Sequence, residues 1–368
     1  MRMMFFLIFL LLMLGGLSYV LWHVWCLLPF PRLWKGVFVV ACALCFLSLF
    51  LVFGGGVENW PVNVASAVYT TGTSSVIVLL YAALTFLLLD LLRLCRFIPS
   101  ASLYDNGPLT AGIAVFFTGL LVWGNIRHNS KVRVALELAT EKSLPKDYTL
   151  VMMSDLHLGY HHQRPELARW VDLINAEHPD AILIAGDIID ISVRPLLLDD
   201  MAAEFRRLEA PVYACLGNHE YYSRRPEAVT FYRQAGIRLL IDSCAIIDNA
   251  IAIIGRDDRT NPSRKPLQAL CQTMPDSLYT IVLDHQPYAL EEAERQGVDF
   301  QLSGHTHHGQ VWPVSWLTDA LYECAFGPWQ RGSTRYYVSS GLGIWGGKFR
   351  IGTQSEYIVV SLHASQQL

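Results

Sequence analysis

The sequence predicts an α/β domain preceded by a set of transmembrane helices. Residues 1–126 carry only five Lys/Arg and three acidic side chains, whereas the rest of the chain holds 23 basic and 29 acidic ones. From residue 148 onwards, short apolar runs alternate with segments of helical spacing, which is typical of a buried sheet flanked by helices. We therefore expect a transmembrane region over 1–126, a linker or surface helix over 127–147, and an α/β domain over 148–368.

The membrane region contains four apolar stretches, and each approaches the roughly 20 residues that a helix needs to cross a bilayer. They are residues 3–22, 34–53, about 73–92 and 109–126. Tryptophans lie near their ends, as in interfacial belts. The first stretch alone would also suit a signal peptide that begins at Arg2. Three further stretches follow it without a clear cleavage site, so we expect it to remain as a span.

The distribution of basic residues gives only a weak indication of orientation. The loops after the first and third spans carry Lys and Arg, while loop 54–70 has neither. Basic loops favour the cytoplasm. The count of basic residues is nevertheless equal on the two sides of the membrane. Those two loops carry Arg32, Lys35, Arg93 and Arg96, and the other side carries Arg2, Arg127, Lys131 and Arg133. We predict a multi-pass protein of the cell (inner) membrane and lean towards an extracytoplasmic catalytic domain.

One acidic residue, Asp90, lies inside the third apolar stretch. An intramembrane acid is a candidate functional group. Its position near the end of the span, just before Arg93, favours snorkelling to the interface instead. We find no second intramembrane acid, histidine or lysine to act as a relay partner, so the pattern disfavours a transporter.

The composition of the second half also excludes some classes of protein. Its mild acidity disfavours nucleic-acid binding, which requires a basic face. Four cysteines with no CxxC spacing follow residue 200, and we expect buried thiols there, although two disulfides stay possible in an exported domain. They are Cys215, Cys244, Cys271 and Cys324.

Five polar clusters directly follow the strand-like runs, where ligands bind in open α/β sheets. They are Asp155-Leu156-His157, Gly186-Asp187 with Asp190, Gly217-Asn218-His219-Glu220, His285, and Gly304-His305-Thr306-His307. Carboxylates, an amide and several imidazoles are more ligands than one ion needs. They suit two borderline divalent ions (Mn²⁺, Fe²⁺, Zn²⁺ or Co²⁺), with Mn²⁺ favoured. The lack of cysteine in the clusters argues against a structural zinc site.

These motifs, in the order DxH, GDxxD, GNH[DE], H and GHxH, resemble the calcineurin-like metallophosphoesterase family. The resemblance covers about 148–362. Within it, the GHTHHGQ segment, the later YVSSGLG and the last strand are similar to the often membrane-tethered or exported bacterial branch. The resemblance implies an αββα sandwich with both metals at the ends of strands.

The resemblance also implies a role for each motif residue. The first metal would be held by Asp155, His157, Asp187 and His307, and the second by Asp187, Asn218, His285 and His305. Asp187 would bridge them, and a hydroxide bridging the ions would attack phosphorus in line. His219 resembles the family's histidine near the scissile phosphate, and Asp190 the acid that orients it. Glu220 departs from the family, in which Asp is commoner.

Substrate recognition follows less directly from the sequence. Several basic side chains beside the motifs could contact phosphate, or could simply be solvated loop residues. They are His161, His162, Arg224, Arg225, Arg256 and His308. Four tryptophans near the end of the chain could form a cap at the headgroup level of the bilayer, or could pack in the core. They are Trp312, Trp316, Trp329 and Trp345.

The sequence thus predicts a membrane-anchored phosphoesterase acting on a phosphomonoester, phosphodiester or pyrophosphate, and a cap would favour a lipid-linked substrate. The alternatives are a non-catalytic metal-binding scaffold on the same fold, or a transporter. The natural substrate, the native metals and the oligomeric state are left open.

Overall fold

The computed structural model describes residues 2–365, with side chains described from residue 10 onwards. It forms two compact units. The first comprises Met1–Trp123 with Gly346–Lys348, and the second comprises Gly124–Trp345 with Phe349–Leu368.

Four long helices dominate the first part of the chain. They are α1 (Arg2–Leu27), α2 (Arg32–Phe53), α3 (Val62–Leu94) and α4 (Gly107–Asn129), whose last residues belong to the second unit. Each of the four predicted stretches lies in one of them, and each helix is long and apolar enough to cross a membrane. Pro31 and Pro61 directly precede α2 and α3. Proline has no backbone N–H to donate, so it is tolerated at the start of a helix but not in its interior.

The surroundings of Asp90 differ from the sequence-based expectation that it has no intramembrane partner. His23 Nε2 lies 3.0 Å from Asp90 Oδ2, and the Tyr19 hydroxyl donates to the same oxygen at 2.8 Å. Arg93 pairs with the other carboxylate oxygen at 3.2 Å. The expectation was wrong because α1 continues past the predicted end of the span at residue 22, which brings His23 into the helix.

The second unit contains two six-stranded sheets. In spatial order, one is β1-β12-β2-β3-β4-β5 and the other is β10-β11-β9-β8-β7-β6. The strands of the first sheet are β1 (Lys131–Thr140), β2 (Tyr148–Met153), β3 (Ala181–Ala185), β4 (Val212–Cys215), β5 (Arg238–Leu239) and β12 (Ser355–Ala364). Those of the second are β6 (Ser243–Ile247), β7 (Ile251–Gly255), β8 (Tyr279–Leu283), β9 (Phe300–Ser303), β10 (Gly327–Arg331) and β11 (Thr334–Val338).

The segment predicted as a linker or surface helix contains a strand instead. β1 pairs in parallel with β12 along its whole length, from Lys131 opposite Ser355 to Thr140 opposite Ala364. Its side chains alternate between more and less exposed positions, as a half-covered edge strand requires. Charged residues at the alternate positions made this segment look like a solvated linker.

Eight shorter helices connect the strands. They are α5 (Arg164–Asn175), α6 (Arg194–Leu198), α7 (Met201–Phe205), α8 (Asn218–Tyr222), α9 (Arg225–Gln234), α10 (Leu267–Cys271), α11 (Glu291–Arg295) and α12 (Val314–Leu321). α6 and α7 are separate short helices, because Asp200 between them adopts a left-handed backbone (φ 46°). Each of the eight cysteines is a free thiol.

Buried apolar side chains form a layered core. Leu150, Leu183, Ile281 and Leu302 belong to the cluster between the two sheets. A second cluster lies under α5, α7 and α9, and a third under α10 and α11. Two sheets with helices on both outer faces are the predicted αββα sandwich, and this prediction is confirmed.

Candidate metal centre

The seven predicted ligands lie at the carboxyl ends of five strands. Asp155 and His157 follow β2, Asp187 follows β3, and Asn218 follows β4. In the second sheet, His285 follows β8, and the loop with His305 and His307 follows β9. These strands are parallel neighbours within each sheet, so their carboxyl ends lie along the same edge.

The loops that carry these residues have unusual backbone conformations. Five of the seven adopt a positive φ, namely Asp155 (54°), His157 (46°), Asp187 (52°), His305 (70°) and His307 (49°). Left-handed conformations are uncommon for residues other than glycine, and they concentrate at functional sites. Each of these turns directs a polar side chain back over the end of its strand.

One group of side chains comprises Asp155, His157 and His307, which offer ligand atoms that all lie within 4.8 Å of one another. The Nε2 atoms of His157 and His307 are 3.1 Å apart. Asp155 Oδ1 lies 3.7 Å from His157 Nε2 and 3.5 Å from His307 Nε2. Three donors that converge in this way suit one face of a coordination sphere.

A second group comprises Asp187, His285 and His305, again with ligand atoms within 4.8 Å. His285 Nε2 lies 3.0 Å from Asp187 Oδ2 and 3.2 Å from the amide oxygen of Asn218. His285 Nδ1 donates to the carbonyl oxygen of Ala185 at 2.8 Å, since a carbonyl can only accept. That bond fixes the tautomer that leaves Nε2 as the ligand atom.

Asp187 lies between the two groups. Its Oδ2 atom is 3.7 Å from His157 Nε2 in addition to its contact with His285. The donors in both groups are carboxylate oxygens, an amide oxygen and imidazole nitrogens, and this mixed N/O set fits borderline divalent ions.

Burial and the neighbouring carboxylates have opposite effects on the pKa values of the histidines in the cluster. Burial would lower the pKa of His157, but its hydrogen bonds with Asp155 and Asp190 raise that pKa to about 10. Burial likewise opposes the charge of His285, and the carboxylate of Asp187 raises the pKa of that imidazole well above its usual value. Burial lowers the pKa of His305 to about 4 and that of His307 to about 3. Without a metal, two imidazoles are therefore cationic and two are neutral near pH 7.

Asp190 contacts more than one of the histidines. Its Oδ1 atom lies 3.1 Å from Nδ1 of His219 and 3.4 Å from Nδ1 of His157. These contacts hold the pKa of the buried Asp190 carboxyl below its usual range, although burial alone would raise it. Asp190 can therefore orient both a ligand and the histidine beside it. His219 is only slightly exposed and packs edge-to-face on the His157 ring.

Two motif glycines allow the carboxylates to approach the neighbouring strand ends. A Cβ atom on Gly217 would lie 2.1 Å from Asp187 Oδ1, and one on Gly304 would lie 2.2 Å from Asp155 Oδ2. No side chain is compatible with those distances. The glycines of GNH and GHTH are therefore required by the packing of the site itself.

Glu220 has a structural function that the sequence did not reveal. Its buried carboxylate accepts hydrogen bonds from the backbone N–H groups of Gly217 (2.7 Å), Asp187 (3.2 Å) and Ile189 (3.0 Å), and from the Tyr232 hydroxyl (2.8 Å). It thereby joins the loop after β3 to the loop after β4. The bond from the Gly217 N–H is the glutamate half of a capping box at α8, since glycine has no side chain for the other half, and this local signal could have indicated the role.

Arg350 is a second residue that the sequence did not single out. It is fully buried, and its guanidinium donates to the carbonyl oxygen of His307 at 2.7 Å and to that of Gly343 at 3.2 Å. Burial lowers its pKa to about 10, which still leaves it cationic at neutral pH. Arg350 therefore holds the backbone of the GHTH loop, and no sequence motif marks it.

The side chains considered for substrate contact include both surface and interior residues. Arg224 is highly exposed and pairs with Glu227 on α9. Arg256 is buried, and its charge is matched by Asp284 and Glu292, each at 2.9 Å. These two carboxylates hold the Arg256 guanidinium in the interior, and its contact with phosphate stays a prediction.

The other side chains considered for substrate contact also lie in different environments. Arg225 pairs with the buried Asp257 at 3.1 Å. His308 stacks on Phe326 and lies 3.3 Å from Asp319 of α12, next to the ligand loop. His161 and His162 are both buried, so the alternative that they are solvated loop residues is wrong.

The four late tryptophans divide between the two interpretations. Trp329 packs against Tyr336 and the third core cluster, and Trp345 is half-buried. Trp312 and Trp316 are 43% and 66% exposed, and they contact each other edge-to-face. Core packing therefore applies to Trp329, whereas the first two form part of an apolar surface.

Comparison with known proteins agrees with this arrangement. A family model of the calcineurin-like phosphoesterases matches residues 148–309. A metallophosphoesterase of Aquifex aeolicus is 31% identical over 239 residues, which cover 61% of this chain and 89% of that protein. The chain belongs to the calcineurin-like phosphoesterase family.

Other members of the family share more of the present chain. A metallophosphoesterase of Campylobacter jejuni is 30% identical over 250 residues, or 66% of each protein. A transmembrane protein with a metallophosphoesterase domain from Danio rerio is 31% identical over 270 residues, which cover 67% of this chain and 60% of that one. The chain thus spans slightly less than two thirds of the length of these relatives.

Proposed function

We propose that this protein hydrolyses a phosphoester with the help of two divalent metal ions. Asp155, His157, Asp187 and His307 would hold the first ion, and Asp187, Asn218, His285 and His305 the second. Mn²⁺ is the favoured metal, with Fe²⁺, Zn²⁺ and Co²⁺ as alternatives of similar chemistry.

The proposal depends on one observation, the convergence of the two buried ligand groups on either side of Asp187. The first group draws its three donors from the ends of two strands and the second from the ends of three, and Asp187 Oδ2 approaches imidazoles of both groups. A carboxylate that contacts two sites is the arrangement that paired metals at a phosphoester require. A purely structural cluster would not need this many imidazoles and carboxylates at the edge of a sheet.

The chemistry is divided between the ions and the side chains. When bound, the ions would supply Lewis-acid charge for the phosphoryl oxygens and lower the pKa of a water molecule. His219 would donate a hydrogen bond to the phosphoryl group and a proton to the leaving oxygen. Asp190, 3.1 Å from His219 Nδ1, would orient the imidazole for this transfer.

Substitution of the shared carboxylate tests the proposal. With Mn²⁺ and the full-length protein, we expect Asp187→Asn to reduce hydrolysis of bis(p-nitrophenyl) phosphate to the uncatalysed background, because both sites lose an anionic ligand. Asp200→Asn is the matched control, since Asp200 is exposed and Asn tolerates its left-handed backbone. Full activity in Asp187→Asn would refute the shared role. A wild-type protein that binds metal but hydrolyses no phosphoester would favour a non-catalytic scaffold.

We further infer that the substrate is linked to a lipid. The observation in favour is the apolar surface of α12, where Trp316, Leu317 and Leu321 are 58–66% exposed. This helix contacts the loop that carries His305 and His307, because Asp319 lies 3.3 Å from His308. An exposed helix with tryptophan and leucine beside a reactive centre suits insertion at the headgroup level of a bilayer.

A substitution on α12 separates this inference from the proposed activity. We expect Trp316→Asp to reduce hydrolysis of a pyrophosphate-linked prenyl lipid in vesicles about tenfold, because an apolar anchor is lost. Hydrolysis of the soluble aryl diester should not change. Leu197→Asp is the control, since Leu197 is similarly exposed on α6. Equal rates for both variants on the vesicle substrate would exclude α12 as the lipid contact.

A further inference from the structure

We propose that His128, His162 and Glu166 form a third metal site, which takes a single Zn²⁺ or a similar borderline divalent ion. Their ligand atoms all lie within 4.8 Å of one another. None of the three belongs to the two groups described above. They come from two parts of the second unit: His128 from the last turn of α4, and His162 with Glu166 from the beginning of α5 and the turn before it.

The geometry of the two imidazoles carries the proposal. Both rings are fully buried, and their Nε2 atoms face each other at 3.3 Å. Two nitrogens bound to one tetrahedral zinc, each at about 2.0–2.1 Å, lie about 3.3–3.4 Å apart. The same separation is long for a hydrogen bond between two imidazoles.

The opposite ring atoms are held in the way that metal-binding histidines require. His162 Nδ1 is 3.3 Å from the backbone oxygen of His157, which can only accept, so Nδ1 carries the proton and Nε2 bears a lone pair. His128 Nδ1 lies 3.4 Å from the Ser355 hydroxyl. The carbonyl contact fixes both the tautomer and the ring orientation of His162, whereas the hydroxyl of Ser355, which can donate or accept, fixes only the ring orientation of His128.

Glu166 supplies the negative charge that two neutral imidazoles lack. One of its carboxylate oxygens accepts from the Gln163 N–H at 3.2 Å as part of the capping box of α5, which fixes the orientation of the carboxylate. Lys131 is the nearby cation, and its ammonium group donates to the backbone oxygen of His128 at 2.8 Å. A two-histidine, one-carboxylate set with a fourth position for solvent is a common zinc environment.

The ion would connect the last turn of α4 to the beginning of α5. His162 Nδ1 donates to the backbone oxygen of His157, so this connection extends to the turn that carries His157, a proposed ligand of the dinuclear centre. Loss of the third ion should therefore lower the thermal stability of the second unit without removing any ligand of that centre.

Metal content of the full-length protein tests the site. After saturation with Zn²⁺ and dialysis, we expect His162→Gln and Glu166→Gln each to contain about one ion per chain fewer than the wild type. His178→Gln is the matched control, since His178 is an exposed histidine just beyond the other end of α5. Its metal content should equal that of the wild type. Glu166, which is only partly buried, gives a second variant in case substitution of His162 prevents folding.

The site can also be observed apart from the dinuclear centre. In an Asp187→Asn background, we expect Co²⁺ to give the intense visible absorption of a tetrahedral ion, and Glu166→Gln to remove it. Equal metal content in wild type, His162→Gln and Glu166→Gln would overturn the proposal, and would mean that the two imidazoles share a proton. The proposal would also fail if the Asp187→Asn background gave no tetrahedral signal.

Discussion

At the level of single residues, protonation is the main competitor of metal binding in the dinuclear centre. His157, with a pKa raised to about 10, and His285, with a pKa well above its usual value, carry protons at pH 7 when no metal is bound. His305 and His307 do not, because burial lowers the pKa of His305 to about 4 and that of His307 to about 3. A divalent ion binds only the unprotonated nitrogen, so it must displace the first two protons.

We therefore predict that binding of the two ions at pH 7 releases about two protons per chain. The apparent affinity should fall as the pH is lowered, because protons compete for the same nitrogens. Isothermal titration calorimetry in two non-coordinating buffers of different ionisation enthalpy, such as PIPES and HEPES, measures the number released. A binding enthalpy that is independent of the buffer would contradict the cationic state of His157 and His285. His178→Gln, outside the cluster, should release as many protons as the wild type.

The same residues show what sequence can and cannot predict at this scale. Asp155, Asp187 and His305 follow apolar runs directly, and the order of their motifs is sufficient to group them. Glu220 and Arg350 act through the backbone of residues distant in sequence. The sequence around Glu220 indicates only its local bond to Gly217, and no motif marks Arg350. His128 illustrates the same limit, since its approach to His162 exists only in the folded chain.

At the level of elements, strand β1 is the largest difference between sequence and structure. Apolar runs identified the central strands, because these are buried on both faces. Lys131–Thr140 has one partly exposed face and alternates charged with apolar residues, so its composition resembles that of a linker. Pairing with β12, more than 200 residues further along the chain, determines its conformation.

Substitution of Leu138 tests whether β1 belongs to the folded domain. This side chain is almost fully buried in the core between the sheets, and we predict that Leu138→Ala lowers the free energy of unfolding by about 2–5 kcal/mol. Glu137→Ala is the control, because the neighbouring side chain is 68% exposed and its removal should change stability by about 0.5 kcal/mol or less. Thermal unfolding of the full-length protein in detergent, followed by tryptophan fluorescence, measures both. Equal midpoints for both variants and the wild type would indicate that the segment is a linker after all.

At the level of the whole molecule, the chain combines four candidate membrane spans with a phosphoesterase domain. An even number of spans places both ends of the chain on one side of the membrane. Only Glu58 among charged residues lies between α2 and α3, whereas Lys35 and Arg93 lie near the connections on the other side. Basic connections are retained in the cytoplasm, so these two connections favour an extracytoplasmic domain, whereas Arg2, Arg127, Lys131 and Arg133 favour the opposite side. We predict the extracytoplasmic side.

Fusion of reporters to the C-terminus of the full-length chain tests this orientation, since the last described residues form the end of β12, a strand of the catalytic domain. We predict that an alkaline phosphatase fusion is active and that a green fluorescent protein fusion is dark, because the first enzyme matures only after export and the second folds poorly when exported. The same pair inserted near Glu58, in the connection between α2 and α3, should give the same pattern as the C-terminal pair if the number of spans is four. The reverse pattern at both positions would place the domain in the cytoplasm and its substrate on the inner leaflet. Opposite patterns at the two positions would mean that either α3 or α4, the helices between the two fusion points, does not cross the membrane.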